Sequence, residues 1–447
     1  MRPGIRRRGR TGASLSRRSR RALASVAVLC AAASATSVAL APAAVANDVQ
    51  SQQWYMNAMQ AEKMWQSSTG KGIKVAVVDT GVNPNTPSLR GKVLTGEVPR
   101  AASYGAVKDY DGHGTTMAEL IAGSGTGGGL RGLAPDARII PVRVALDDDL
   151  KGKAELKKTA SVTQGIRAAA DSEARIISLS LGVEFHYPSL ESAIQYAYSK
   201  GKLVFAAAGN DGPKTEFKGY PAAYLEAIGV GAADKTGTVG EFSQKGDYVD
   251  LASPGVNVPV WCDETFTRYC PSEGTSQATA IASASAALIW SAHPDWSANQ
   301  VLRTLIDTAG RQWPKDAPSD YLGYGLIRPR LVLEDKNIDP GPADVNPLTN
   351  EKTPVAGTKE PSEGTSPAPE GKPSSPGDKP SADNGGSTEP PAKDSKESKD
   401  DGATATGASA DGSSGDSGNL GLILGSAAAV AVVGAGAFVL VRKRRNA

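Results

Sequence analysis

Ile73-Lys74-Val75-Ala76-Val77-Val78-Asp79-Thr80-Gly81 is an apolar run that ends abruptly in an acid, a hydroxyl and a glycine. A short, nearly continuous apolar run closed by turn residues fits a strand buried on both faces. Four more runs read the same way: Arg138–Val144, Arg175–Ser180, Leu203–Ala208 and Ala227–Ala232. Helical patterns alternate with them at His113–Ala122, Ser161–Asp171, Leu190–Lys200, Ser276–Ala292 and Ala298–Thr308. That alternation predicts an α/β fold in three layers, a mostly parallel sheet with helices on both faces. In such sheets a functional site lies outside the carboxyl ends of the strands. Asp79 stands at one such end, and Asn210 closely follows another.

Two further motifs place reactive side chains beside glycine: Asp111-Gly112-His113-Gly114-Thr115 and Gly274-Thr275-Ser276. A serine hydroxyl is a poor nucleophile at neutral pH and needs a base and an anion site. Ser276 opens an alanine-rich helical run, so backbone N–H groups at a helix start stand beside it. His113 titrates in the right range to serve as general base and then acid. Asp79 can orient the imidazole and stabilise its charged form. Asn210 ends Ala206-Ala207-Ala208-Gly209-Asn210 and offers an amide N–H to a developing oxyanion. Asp-Thr-Gly alone would also suit an aspartic protease, but that chemistry needs a second such motif, and none lies in a plausible strand. His293, before a proline, reads as structural. His186 and the Asp147–Asp149 cluster read as solvated loops.

The ends of the chain carry different information. Nine arginines lie within residues 1–21, an apolar run follows, and Ala44-Val45-Ala46 is a small-x-small cleavage site. Residues 1–46 are therefore expected to be a secretory signal. Residues 47–338 are expected to form the globular domain. Residues 339–418, rich in Pro, Ser, Gly and charge, cannot bury a core and are expected to be a disordered tether. Within them Ala403–Gly407 faintly resembles a wall-sorting signal but lacks its leading Leu or Pro. A bilayer-spanning helix is expected at 419–441, because Leu420–Val441 is an uncharged run. The basic cluster at 442–447 then places the C-terminus in the cytoplasm and the domain outside. Formal net charge is only +2, which argues against a nucleic-acid partner. Cys262 and Cys270 remain after signal removal, and an exported pair predicts a disulfide.

With these motifs the chain resembles the subtilisin-family (S8) serine proteases over about residues 54–310. The resemblance rests on Asp79-Thr80-Gly81, His113-Gly114-Thr115, Ser180-Leu181-Gly182, Gly209-Asn210 and Gly274-Thr275-Ser276. It implies a subtilisin-like domain that hydrolyses protein or peptide substrates without a cofactor. It also implies that Ser180, Leu181 and Gly182 pair with the substrate backbone, and that Ala207, Ala208 and Gly209 line the pocket for the residue before the cut. The order of signal, protease, tether and membrane helix resembles the mycosins of actinobacterial type VII secretion systems. That narrower likeness implies a role in processing secretion substrates, or in assembling the secretion machinery with cleavage secondary. Two departures stand out. Gln277-Ala278-Thr279-Ala280 follows the serine where the family has a large apolar residue, then Ala and Pro. The glycine-rich loop Gly123–Arg131 lacks the asparagine of calcium-binding subtilisins, so no metal site is expected there.

Overall fold

The computed structural model describes residues 49–146, 150, 154–212, 217–353 and 406–407. The expected signal, most of the expected tether, the expected membrane helix, the basic tail and Asp147–Asp149 lie outside the described residues. Among the described residues no helix is long and apolar enough to cross a membrane.

Six parallel strands form one sheet in the order β2-β1-β3-β5-β6-β7. They are β1 (Lys74–Asp79), β2 (Arg138–Arg143), β3 (Ile176–Leu179), β5 (Leu203–Ala207), β6 (Ile228–Ala233) and β7 (Leu251–Pro254). A two-residue edge, β4 (Leu181–Gly182), follows β3. Side-chain alternation splits the core between the two faces. Val75, Val77, Phe205 and Val230 join one cluster, and Ala76, Val78, Val204 and Ala206 join the other. The first cluster is roofed by α4 (His113–Ala122), α7 (Thr275–Ala292) and α8 (Ala298–Thr308). The second is covered by α5 (Val162–Ala170) and α6 (Pro188–Ser199). The chain passes from β1 outward to β2 and back to β3, so the strand order reverses beside β1. Such a reversal opens a crevice at the carboxyl ends of the strands.

Local sequence explains where the helices begin. Ser161 and Gln164 form a reciprocal capping box at α5, and Ser297 and Gln300 form another at α8. The central helix α7 is buried continuously from Thr275 to Trp290. Its small residues let it lie against β3, β5, β6 and β7 at once. Three short helices, α1 (Val49–Gln52), α2 (Trp54–Ala58) and α3 (Ala61–Met64), precede the sheet. Gln50 Nε2 donates to the carbonyls of Gly125 and Gly129 at 2.7 and 3.0 Å. Gln53 makes paired bonds with the backbone of Arg131. The glycine-rich loop is thus pinned by two glutamines.

Two features depart from the expected organisation. The folded chain does not stop at 338. Ser297 and Asn299 at the start of α8 donate to Ala343 O, and Asn299 also reaches Thr353 Oγ1. A last helix, α9 (Pro329–Glu334), leads into this segment. Polar side chains of α8 and the packing of one leucine, Leu348, on the core hold it, too little apolar pattern to reveal it in sequence. In addition, an antiparallel hairpin of β8 (Val258–Trp261) and β9 (Tyr269–Ser272) precedes α7 and carries the Cys262–Cys270 disulfide, with Cα atoms 5.2 Å apart.

Gly165 faces β2 from α5, and a Cβ there would stand 2.3 Å from Val144 Cγ1. Alanine normally gains about 1 kcal/mol over glycine inside a helix. Overpacking a core costs about 1–3 kcal/mol, so the clash wins. Gly165→Ala should lower the denaturant midpoint, and adding Val144→Ala should recover part of the loss.

Candidate active site

Asp79 closes β1 with its carboxylate fully buried. The backbone N–H of Thr80 donates to Asp79 Oδ1 at 2.7 Å. His113 is the first residue of α4, and its Nδ1 lies 2.7 Å from the same oxygen. The contact requires α4 to begin hard against the end of β1. A Cβ on Gly114 would come 2.2 Å from Gly81 O and about as close as contact allows to the Asp79 carboxylate. Gly81 itself has φ +113 and packs on Lys108 O. Both glycines of the motifs are therefore steric requirements.

A carboxylate that sequence reasoning missed organises this junction. Asp109 is buried and accepts from Thr80 Oγ1, Gly112 N, Thr115 N and Thr115 Oγ1, all at 2.6–2.9 Å. It caps α4 from outside the helix and ties it to the loop after Asp79. Its position just before Asp-Gly-His is the place for a helix-capping acid, and that was the available signal. Beneath it, the fully buried Arg143 donates to Thr80 O and Lys108 O and lies 4.5 Å over the Tyr110 ring.

Ser276 is the second residue of α7 and is fully buried. Its hydroxyl donates to Ser180 O at 3.3 Å, and Ser180 Oγ returns a bond to Ser276 O at 3.0 Å. His113 Nε2 is buried and takes no hydrogen bond among the described residues. The structure thus joins Asp79 to His113 but holds the Ser276 hydroxyl on Ser180. Serine–histidine contacts often tighten only when substrate arrives. Asn210 follows β5, and its Oδ1 accepts from both Thr275 N and Thr275 Oγ1 at 2.9 Å. That fixes the amide so that Nδ2, its donor end, is turned away from Thr275. Thr275 is therefore a positioning residue inside a motif that sequence reading valued only for the neighbouring serine.

The candidate substrate residues gather at the same end of the sheet. β3 pairs with β5 up to Leu179 and Ala206, which brings Ser180 beside Ala207. Ser180 leads into β4, and the next residue, Val183, pairs with Tyr220. Ala207 and Ala208 are buried, and Gly209 has φ +116. A Cβ on Gly209 would stand 1.4 Å from Gln244 Oε1. Gln244, a residue no sequence signal flagged, thus backs this wall and donates to Phe217 O at 3.1 Å. His186 lies edge-on to Tyr220 and Tyr224, and His293 stacks on Trp296.

Residues 70–325 match the family model described as the subtilase family, Peptidase S8. This chain belongs to the subtilase family. Thermitase of Thermoactinomyces vulgaris is 36% identical to this subtilase over 280 residues, covering 61% of the chain and 95% of thermitase. The minor extracellular protease Epr of Bacillus subtilis (strain 168) is 34% identical over 294 residues, 64% of this chain but only 42% of Epr. Among solved structures, the MycP3 protease from the type VII (ESX-3) secretion system superposes with a TM-score of 0.52. It is 31% identical and covers 62% of this chain and 87% of its own. The subtilase is thus of the subtilisin serine-protease type, with mycosins among its structural neighbours.

Burial alone would lower the His113 pKa. The adjoining Asp79 carboxylate and its hydrogen bond, with Asp111 and Asp109 further off, outweigh burial and push it up to about 9. The folded value exceeds the unfolded one, so this pair stabilises the fold below about pH 6.5. The contribution is lost as pH rises through about 9. An NMR titration should find the His113 imidazolium persisting well above pH 7. Asp79→Asn should move its midpoint down by about 1–3 pH units, the range for removing an adjacent opposite charge.

Proposed function

We propose that this subtilase is an endopeptidase held on the outer face of a membrane, cutting peptide bonds through an acyl-enzyme on Ser276. The observation that carries the reading is the 2.7 Å Asp79–His113 contact at the end of β1, in a chain of the subtilase family whose Ser276 lies in the first turn of α7. In the reaction Ser276 Oγ leaves Ser180 O, passes its proton to His113 Nε2 and adds to the substrate carbonyl. Asp79 holds the ring and stabilises the imidazolium. Asn210 Nδ2 and the start of α7 stabilise the oxyanion. His113 then returns the proton to the leaving amine, and water hydrolyses the ester. Ser180–Gly182 pairs with the substrate backbone, and Ala207–Gly209 receives the residue before the cut.

His113 works as a base only when neutral, so its raised pKa makes the rate climb from neutral toward alkaline pH. The expected signal at 1–46 and the expected span at 419–441 support export and anchoring. The likeness to MycP3, a protease from a type VII secretion system, supports secretion substrates as the targets. It also supports the second reading, a component that assembles such a system with cleavage secondary.

Purified wild type should react with a fluorophosphonate probe, and Ser276→Ala should not. Ser276→Ala should also lose about 10⁴–10⁶ in kcat, the scale of removing a triad nucleophile; the upper value is the known subtilisin measurement. A folded wild type that neither labels nor cleaves would remove the protease reading. Secretion that survives Ser276→Ala but fails on deletion of the chain would place the assembly role first. Protease shaving of intact cells should remove the domain and spare the C-terminal tail.

A further inference from the structure

The substrate-pairing edge Ser180–Gly182 and the pocket wall Ala207–Gly209 are joined by a third stretch of chain, residues 217–220. Val183, next to the edge, exchanges both backbone bonds with Tyr220, at 2.7 and 2.9 Å. Gly219 meets the wall, where a Cβ on it would stand 2.4 Å from Ala208 O. The stretch is therefore tied to both sides and forms a floor between them. Gln244 fills the corner where this floor meets the wall. Its backbone N–H donates to Gly209 O at 2.9 Å. Its side chain folds back, so that Oε1 lies 1.4 Å from the position of a Gly209 Cβ and 3.5 Å from that of a Gly219 Cβ. Nε2 donates to Phe217 O at 3.1 Å. One carboxamide thus touches wall and floor together, and the residue is only 3% exposed.

We propose that Gln244 sets the depth of this pocket, so that the protease cuts after small residues such as alanine and serine and discriminates against large apolar ones. The inference rests on the protease reading above and names the substrate class for it. A side chain entering between edge and wall advances until it meets atoms that cannot yield. Gly209 and Gly219 carry no side chains of their own, and the Gln244 carboxamide takes the room they leave. A methyl or hydroxymethyl group stops short of it. A leucine or phenylalanine side chain reaches several atoms further and meets it.

The obstacle is fixed at both ends. Swinging the carboxamide aside would break its bond to Phe217 O and leave polar groups unpaired. The loop that carries it is anchored too. Ser243 Oγ accepts from Ala232 N of β6 at 3.2 Å, and Phe242 O accepts from Gly212 N at 2.9 Å. A close-packed surround of this kind transmits strain rather than absorbing it. A residue that only propped the wall would affect every substrate alike. One that ends the pocket affects long side chains and spares short ones.

The test uses the full-length protein in detergent, as wild type, Gln244→Asn and Gln244→Ala. Peptides identical except for Ala, Ser, Leu or Phe before the cut are compared by kcat/KM, with product masses to fix the bond cut. Fluorophosphonate labelling counts the competent sites. Wild type should favour Ala over Phe by about tenfold or more, the scale on which a pocket discriminates by size. The Phe-to-Ala ratio should rise in Gln244→Asn and rise further in Gln244→Ala, by about tenfold or more in the latter. A wild type that labels but cuts after Phe as readily as after Ala overturns the inference and leaves the protease reading standing. So does a ratio that neither variant changes, even where both lose activity on all four peptides. A folded wild type that neither labels nor cuts any peptide overturns the protease reading, and the inference with it.

Discussion

The site depends on two backbone segments meeting with nothing between them. The start of α4 approaches the turn after β1 so closely that Gly114 has no room for a side chain, and Lys108 O closes on Gly81 from the other side. This contact sets the distance between His113 and Asp79 before any electrostatic attraction acts. Asp109 then fixes it, because one buried carboxylate satisfies backbone donors of α4 and the hydroxyl of Thr80 together. Buried donors without partners cost about 1–3 kcal/mol each. The fold therefore has little freedom to open this junction, and the charged pair forms in a frame already built.

Much of this was legible in the sequence, for identifiable reasons. Strands buried on both faces read as apolar runs, and β1, β2, β3, β5 and β6 were found within a residue or two of their ends. β7, Leu-Ala-Ser-Pro, was not, because short polar and proline residues hide a strand whose burial comes from α7 and its neighbour β6. Helices with serine caps or an unbroken small apolar run were equally plain. Residues 339–353 read as tether because their composition is polar, yet side-chain hydrogen bonds from α8 and the packing of Leu348 on the core hold them. The candidate site residues stood out because a glycine lies within two positions of each of them. Thr275, Arg143 and Gln244 did not, because their roles consist of contacts across distant parts of the chain that no local pattern encodes, whereas Asp109 carried a capping signal that went unread.

The hairpin before α7 joins the two halves of the site. Trp261 N donates to Thr116 Oγ1 in α4, and the Asp263 carbonyl packs against Gly112 at its start. At the other end, Ser272 Oγ accepts from Gln277 in the first turn of α7. The stacked Trp261 and Tyr269 rings and the Cys262–Cys270 bridge stiffen the hairpin between these anchors. Tyr269 also donates to the buried Glu119 of α4 at 2.8 Å. The histidine-bearing and serine-bearing helices are thus braced against each other by a cross-linked element that touches both.

The position of α7 late in the chain has a consequence for biogenesis. This helix packs against β3, β5, β6 and β7 and carries Ser276, the proposed nucleophile. All of those strands precede it in the sequence. A polypeptide emerging N-terminus first exposes its acid and base while the serine is still missing. Contacts so distant in sequence form slowly, after the local ones. Reactivity is therefore postponed until almost the whole domain has been made, and the order of elements along the chain itself delays self-digestion during synthesis.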